Sequence, residues 1–287
     1  MNIFKRVEYG FVLTLIIMLM SGFAWADTCK AKYGDKDLTF TLATGSPGEL
    51  GLLKELAIVF NKKNASSICW VKAGSGKSLK LLHGKKVDMV LVHAPAAEKR
   101  AVKDGWAANR TLIGSNEFYI VGPKDDPAGI AGAKSASDAY AGIAKAKSKF
   151  LSRGDNSGTN KKELFIWKKA GIKPGSDWYI ITKDFMMATL KKADRVKGYF
   201  MTDSSTWVAG KKDLKNLKIL FRGDPLLINT YHGLCQPENG SYEQALAAEF
   251  IRFLSSDQGQ KIIRDYGTDL YGQAMYNDAE YAEQYDH

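Results

Sequence analysis

The sequence of 287 residues predicts an α/β protein with two lobes that are joined by two strands and separated by a cleft. Short apolar runs rich in β-branched residues alternate with amphipathic helical runs, which is typical of a mainly parallel sheet. This alternation forms two successive series. Two further strand-like segments, 119–125 and 228–235, lie where the chain would cross between them. Two such crossings would form a hinge.

The first 26 residues have the features of a secretory signal peptide. Lys5 and Arg6 precede an apolar run over residues 11–20, and Ala24-Trp-Ala26 fits the small-x-small rule for cleavage. The uninterrupted apolar run is shorter than the ~20 residues that a transmembrane helix needs. We therefore predict cleavage near Ala26 and an exported, soluble protein with no membrane insertion.

The first α/β series follows a short polar lead-in. Residues 38–43 alternate apolar and β-branched side chains, which predicts a strand, and residues 52–62 carry an apolar face at helical spacing. Residues 44–51 between them are rich in glycine and predict a loop. Further along, the patterns predict strands over 68–72, 87–92 and 116–122, and helices from residue 78 and over 98–104.

The second series begins after Pro123–Pro127. Its patterns predict helices over 137–147, 160–171, 185–196 and 203–209, and strands over 150–152, 178–181, 198–202 and 217–221. The chain then returns through a strand over 227–235 to helices over 241–254 and 257–266, and the acidic end, 277–287, is predicted to be loose. Lobe 1 is therefore predicted to comprise 27–122 and 229–287, and lobe 2 to comprise 123–228.

The net charge of +10 does not identify a partner by itself. Removing residues 1–26 takes away Lys5, Arg6 and Glu8 and leaves about +9. The lysines are spread along predicted helices, and export argues against a nucleic-acid partner. The basic balance is therefore expected to do no more than attract small anions.

Three cysteines, Cys29, Cys69 and Cys235, lie far apart in the sequence. In an oxidising compartment they allow one disulfide and one free thiol, and the sequence leaves the pairing open. The four histidines are isolated from one another and from the cysteines. We expect neither a metal site nor a cofactor.

Three loops, each between a predicted strand and a predicted helix, combine glycine with hydroxyl side chains: Thr44-Gly-Ser46, Gly74-Ser-Gly76 and Arg153–Thr159. In open α/β sheets, ligands bind beyond the carboxyl ends of the strands. A helix start offers unpaired N–H groups to an anion, and arginine adds a planar fork of donors. Each loop alone also fits an ordinary capped turn. Together they predict a small-anion site in the cleft.

No catalytic constellation is visible. The run Gly76-Lys-Ser78 lacks the glycine that a phosphate-binding loop needs five positions earlier, where Val71 stands. Ser46 is not in a nucleophile elbow, and no motif ties Ser157 to His93. We therefore expect a binding protein and not an enzyme.

Longer runs give the chain a resemblance to a known family. They are Val-Asp-Met-Val-Leu-Val-His-Ala-Pro over 87–95, Phe-Tyr-Ile-Val-Gly-Pro-Lys-Asp-Asp-Pro-Ala-Gly over 118–129, and Ser-Arg-Gly-Asp-Asn-Ser-Gly-Thr-Asn-Lys-Lys-Glu-Leu over 152–164. On these runs the chain resembles the tungstate-binding proteins of bacterial ABC importers, which are type II periplasmic binding proteins related to molybdate binders. The resemblance covers nearly all of residues 38–275. It implies a monomeric receptor that carries a tetrahedral oxyanion to a membrane permease with its ATPase.

The resemblance also implies the residues that hold the anion. They are hydroxyls and backbone N–H groups of the three loops: Thr44, Ser46, Ser75, Arg153, Ser157 and Thr159. The chain departs from the family pattern near these loops, at Gly45, at Lys77 and at Phe185-Met-Met187, where the family has a glycine-rich segment.

These departures leave two alternatives open. The pocket could accept a small organic carboxylate, with its apolar part against Phe185 and Met187. The protein could instead be a sensory or interaction subunit that transports nothing.

Overall fold

The computed structural model describes residues 29–286, so the predicted signal peptide lies outside the described residues. The strands are β1 (Ala31–Tyr33), β2 (Thr39–Thr44), β3 (Ser67–Lys72), β4 (Met89–Val92), β5 (Ala108–Pro123), β6 (Phe150–Ser152), β7 (Tyr179–Ile181), β8 (Tyr199–Asp203), β9 (Leu217–Phe221) and β10 (Ile228–Cys235). The helices of the first series are α1 (Ser46–Glu49), α2 (Leu52–Asn64), α3 (Ser75–His83) and α4 (Pro95–Lys103). Those that follow are α5 (Ala136–Lys145), α6 (Gly158–Lys169), α7 (Met186–Val196), α8 (Ser204–Gly210), α9 (Tyr242–Leu254), α10 (Asp257–Asp265), α11 (Thr268–Tyr271) and α12 (Ala279–Glu283).

In residues 29–286, ten strands form one sheet: nine follow the order β1-β3-β2-β4-β10-β5-β8-β6-β7, and β9 pairs with β5 beside this path. We call β1–β4 with β10 the first half-sheet, and β6–β9 the second half-sheet. Within each, the central pairs are parallel: β2 with β3 and β4, and β6 with β7 and β8. The predicted alternation of helices and parallel strands is confirmed.

Strand β5 connects the two half-sheets. Its residues 108–117 pair antiparallel with β10, and its residues 118–123 pair antiparallel with β8 and β9. β10 runs beside it, from Ile228 opposite Glu117 to Cys235 opposite Ala108. The predicted crossing over 228–235 is therefore a strand in the middle of the sheet, whereas residues 119–123 of the other predicted crossing continue the same β5 into its pairing with β8 and β9.

Each half-sheet packs its own apolar core. In the first, Phe60 lies 4.9 Å from Phe250 between ring centroids, so α2 and α9 close over the sheet together. In the second, Tyr140 of α5 lies 4.3 Å from Trp167 of α6. Burial of such rings is the main favourable contribution to folding. Each half therefore has its own source of stability.

Two loop predictions differ from the structure. The predicted loop over 44–51 contains the one-turn helix α1, which has a proline in its first turn where the missing N–H costs nothing. Helix α3 begins at Ser75, three residues before the predicted start. Propensity argues against Gly76 in a helix, but tertiary packing overrides it.

The disulfide left open by the sequence joins Cys29 to Cys69, and Cys235 is free and buried. Cys29 lies just before β1 and Cys69 lies in β3. Because β1 pairs antiparallel with β3, the two cysteines are brought side by side. The bond fastens the edge strand to the sheet.

The C-terminal segment is not loose, and that prediction was wrong. Asn277 forms a bridge with Ser115 of β5, and α12 follows. The carboxylate of Asp286 lies 2.9 Å from Arg110 and 3.1 Å from the buried His232. The sequence shows the charge of this segment, but its partners are more than fifty residues away.

Candidate anion-binding site

The third of the predicted loops lies between β6 and α6. Arg153 follows the last residue of β6, and Ser157 caps α6 by accepting the N–H of Asn160 at 3.3 Å. Arg153, Ser157 and Thr159 are buried, with exposed fractions of 4%, 1% and 2%. The loop therefore places a cation and a helix N-terminus at one buried point, which is a favourable position for an anion.

The guanidinium of Arg153 is fixed by its neighbours. Its Nη2 donates to the carboxylate of Asp155 at 2.5 Å, and its Nε donates to the carbonyl of Asp184 at 3.2 Å. The ring of Phe185 lies 5.5 Å from its Cζ. A buried cation needs such partners, and they leave the planar group preorganised to donate further hydrogen bonds.

Thr159 is the unusual residue of the loop. Within residues 29–286, its buried hydroxyl has no hydrogen-bond partner. Buried polar groups are nearly always paired, because an unpaired one costs about 1–3 kcal/mol. An unpaired buried hydroxyl in the first turn of α6 is what we expect at a site where a polar ligand supplies the missing hydrogen bond.

The second loop touches the third across the two halves of the molecule. A Cβ added at Gly74 would lie 3.0 Å from Cβ of Ser157 and 3.7 Å from Nη2 of Arg153. A Cβ at Gly76 would lie 2.2 Å from the carbonyl oxygen of Asn156. A side chain at position 76 would therefore force the two loops apart, and one at position 74 would fit only with a small shift of Ser157.

Ser75 lies between these two glycines. Its Oγ accepts the backbone N–H of His93 at 3.1 Å, and a hydroxyl that accepts one bond can still donate its own proton. Of the six predicted residues, the structure thus brings Ser75, Arg153, Ser157 and Thr159 to the contact between the second and third loops.

The first loop is placed differently. Gly45 lies beside the second loop, since a Cβ there would lie 3.4 Å from the carbonyl oxygen of Ala73. The hydroxyl of Thr44, however, donates to the carbonyl of Leu91 at 2.9 Å, and that of Ser46 donates to Asp203 at 3.3 Å. Both side chains therefore already have protein acceptors.

His93 was missed as a residue of this region. Its Nδ1 lies 2.8 Å from Oδ1 of Asn229, and a Cβ at Gly158 would lie 2.5 Å from its ring. Burial, together with a smaller effect of the charge of Arg153, lowers the pKa of His93 to about 4. The imidazole is therefore neutral at pH 7 and packs against the start of α6. A histidine that follows a buried strand directly is the available sequence signal.

Glu163 supports the third loop from behind. Its carboxylate accepts the hydroxyls of Ser152 and Tyr179, each at 2.6 Å, and the Nε1 proton of Trp167 at 3.1 Å. Burial raises the pKa of Glu163 to about 7, while these hydrogen bonds oppose the shift. The carboxylate thus ties the end of β6 to α6.

The departures from the family pattern fall into different environments. Lys77 is exposed, Met186 is buried in the second core, and Met187 packs against Gly210 of α8. The ring of Phe185 lies 5.5 Å from Cζ of Arg153. An organic carboxylate bound at Arg153 would therefore meet the ring of Phe185.

Comparisons with known proteins were made for the whole chain. Residues 31–258 match the family described as PBP superfamily domain. The chain is 31% identical to the tungstate-binding protein TupA of Peptoclostridium acidaminophilum, over 92% of this chain and 96% of that protein. It is similar to the crystal structure of the tungstate ABC transporter from Geobacter sulfurreducens, with a TM-score of 0.72, 38% identity, and coverage of 81% of this chain and 100% of that one. It is also similar to TupA from Desulfovibrio alaskensis G20, with a TM-score of 0.69, 37% identity, and coverage of 84% and 98%.

Proposed function

The chain belongs to the PBP superfamily and, within it, to the family of the tungstate-binding proteins, and from this premise we propose that it is the solute receptor of an ABC importer for a tetrahedral oxyanion. The resemblance seen in the sequence and the type II periplasmic-binding-protein fold are both confirmed. The proposed ligand class is tungstate or molybdate, because the relatives are named for tungstate and the site offers donors to an anion.

In this proposal the anion replaces its hydration shell with protein donors. Arg153 supplies the charge, the start of α6 supplies backbone N–H groups, and Ser75 and Thr159 supply hydroxyl protons. Ser157 caps α6 and shapes the contact with Gly74, while its own backbone N–H donates to Asp155 at 3.1 Å. No covalent step is needed, so the protein acts as a binding protein and not as an enzyme.

The observation that carries the proposal is the buried hydroxyl of Thr159. It lacks a hydrogen-bond partner within the described chain, and it stands in the first turn of a helix that follows a buried arginine. A tetrahedral oxyanion accepts hydrogen bonds in several directions, so one ligand could serve the hydroxyl, the helix start and the guanidinium together.

We also propose that two lobes close around the ligand. Lobe 1 comprises 27–122 and 229–287, and lobe 2 comprises 123–228, with β5 and β10 as the hinge. The buried apolar clusters divide mostly between the lobes, two in lobe 1 and one in lobe 2, which supports their movement as separate bodies. The closed form would dock as a monomer on a permease that works with its ATPase.

Export to the periplasm is the proposed location. The signal peptide over residues 1–26 supports it, and so does the Cys29–Cys69 disulfide, because such bonds persist in oxidising compartments. In the part of the chain that the structure describes, no helix is long and apolar enough to cross a membrane.

Calorimetric titration of the mature protein with tungstate, molybdate, sulfate and phosphate tests the function. We expect tight binding of tungstate or molybdate, and weaker binding of the other two. A protein that binds none of the four does not have the proposed function. A thermal-shift screen that finds small organic carboxylates active and tungstate inactive would assign the site to a different ligand class.

A further inference from the structure

Phe185 lies between two cations from opposite halves of the molecule. Nζ of Lys72, at the end of β3, lies 4.3 Å from the centroid of its ring, and Cζ of Arg153 lies 5.5 Å from the same centroid. Phe185 itself caps α7 in the second half. Both distances are within the range in which a cation is attracted to the face of an aromatic ring.

Each of the two cations also has its own carboxylate. Lys72 pairs with Glu49 of α1 at 2.9 Å, and Arg153 pairs with Asp155. The side chains of Lys72 and Glu49 are 26% and 24% exposed, so this pair is partly shielded from water. The result is a continuous series across the cleft: carboxylate, cation, ring, cation, carboxylate.

The contact between Lys72 and the ring differs from the other contacts of the series. Glu49 and Lys72 belong to the first half, whereas Arg153, Asp155 and Phe185 belong to the second. If the halves separate, each ion pair stays intact within its own half. Within this series, the contact of Lys72 with the ring is the one that has to break.

We propose that Phe185 acts as a clamp at the anion site: its contact with Lys72 holds the cleft closed and sets how long a bound dianionic oxyanion stays. The clamp rests on the proposed function, since it needs an anion that binds beside Arg153. Its contact forms only when the halves have met. It therefore acts on release and leaves the association rate nearly unchanged.

The ring, and not merely apolar bulk, carries this role. A leucine at position 185 keeps an apolar side chain but has no aromatic face for Lys72, whereas tyrosine or tryptophan keeps that face. Methionine at position 72 keeps the length of the lysine and removes its charge. These substitutions separate the cation–ring contact from simple packing.

Release rates of tungstate and molybdate measured by stopped-flow tryptophan fluorescence test the clamp. We expect F185L and K72M each to release the anion about threefold to tenfold faster than the wild type, with association rates within about twofold. The double variant should be no faster than the faster single variant, because both remove one contact. F185W, which keeps an aromatic ring, should release the anion as slowly as the wild type does.

A matched control is available in α6. There Nζ of Lys169 lies 5.8 Å from the ring of Phe165, a similar pair that stays within one helix and is exposed. F165L should release the anion at the wild-type rate. Unfolding temperatures of all variants, measured in parallel, show that each protein is folded.

The possible outcomes separate a failure of the clamp from a failure of the proposed anion-binding function. If the wild type binds tungstate or molybdate and both F185L and K72M release it at the wild-type rate, the clamp is wrong and the function stands. Additive effects in the double variant, or fast release in F185W, also overturn the clamp. If the wild type binds neither anion, the proposed function fails and the clamp fails with it.

Discussion

The first and third loops of the cleft contain the same kinds of residue, but they differ in whether the threonine hydroxyl has a hydrogen-bond acceptor in the protein. Thr44 and Ser46 donate to Leu91 and Asp203, whereas within the described residues Thr159 has no partner. A hydroxyl just before or in the first turn of a helix is therefore a predictable hydrogen-bond donor, but the sequence does not show which group accepts from it. The predicted ligand residues therefore fall into two groups. The side chains of one group already donate hydrogen bonds within the protein, and the donors of the other group are available to a ligand.

The largest effect is expected from removing the cation of the third loop. R153A should weaken tungstate or molybdate binding by about 100-fold, because a charge-assisted hydrogen bond in a buried site is lost. Calorimetry measures this. R252A, which removes an exposed arginine that pairs with Glu249, serves as the control and should bind normally. Normal binding by R153A would contradict the division into two kinds of loop.

The pH dependence of stability tests the role of Glu163, which lies behind the third loop and supports it. Burial raises the pKa of Glu163 in the folded protein to about 7, above the value near 4.5 expected when it is exposed. The folded state therefore binds more protons between these values, and its stability is complete below about pH 4.5 and falls as the pH rises to 7. The loss should approach about 3 kcal/mol.

E163Q tests this dependence. Glutamine cannot titrate, so urea unfolding at several pH values should show a flatter profile from pH 4.5 to 7 than that of the wild type. The variant should also be less stable overall, because its amide group meets one of the hydroxyl or N–H donors that the carboxylate accepts. Parallel profiles would show that Glu163 does not change its proton affinity on folding.

The hydroxyl without a partner gives the most direct contrast between the loops. T159V should weaken oxyanion binding about tenfold and leave the stability of the free protein unchanged or slightly higher, because it removes an unpaired buried group. T44V should do the reverse: it leaves the Leu91 carbonyl unpaired, costs about 1–2 kcal/mol of stability, and barely changes affinity. The same effect on affinity in both variants would remove the distinction.

The smallest effect is expected at Ser46. Asp203 also accepts hydrogen bonds from Ser205 and Thr206, so S46A removes one of several. Its affinity for the oxyanion should change by less than about twofold, as measured by calorimetry. A tenfold loss would place the first loop among the direct ligand contacts.

The sequence predicted the positions of the three loops better than the hydrogen bonds of their side chains. Parallel strands place their carboxyl ends at one edge, so the positions of Ser75 and Arg153 follow from the order of the elements. The acceptors of Thr44 and Ser46 come from β4 and β8, far along the chain. His93 was missed for the same reason, since its role depends on Asn229 of β10.

The early start of α3 shows a second limit. Gly76 argues against a helix, yet only a residue without a side chain fits against Asn156. The local signal and the tertiary requirement thus oppose each other. The contact lies in the cleft, where function rather than propensity is expected to decide the residue.

The fastened C-terminal segment has a practical consequence for sensor design. Because Asp286 is bound to Arg110 and His232, a fluorescent domain attached after this segment would move with the first half of the molecule. A second fluorophore on an exposed position of α5 would move with the other half. The distance between the two would then report opening and closing directly, in a protein whose binding loops are left unaltered.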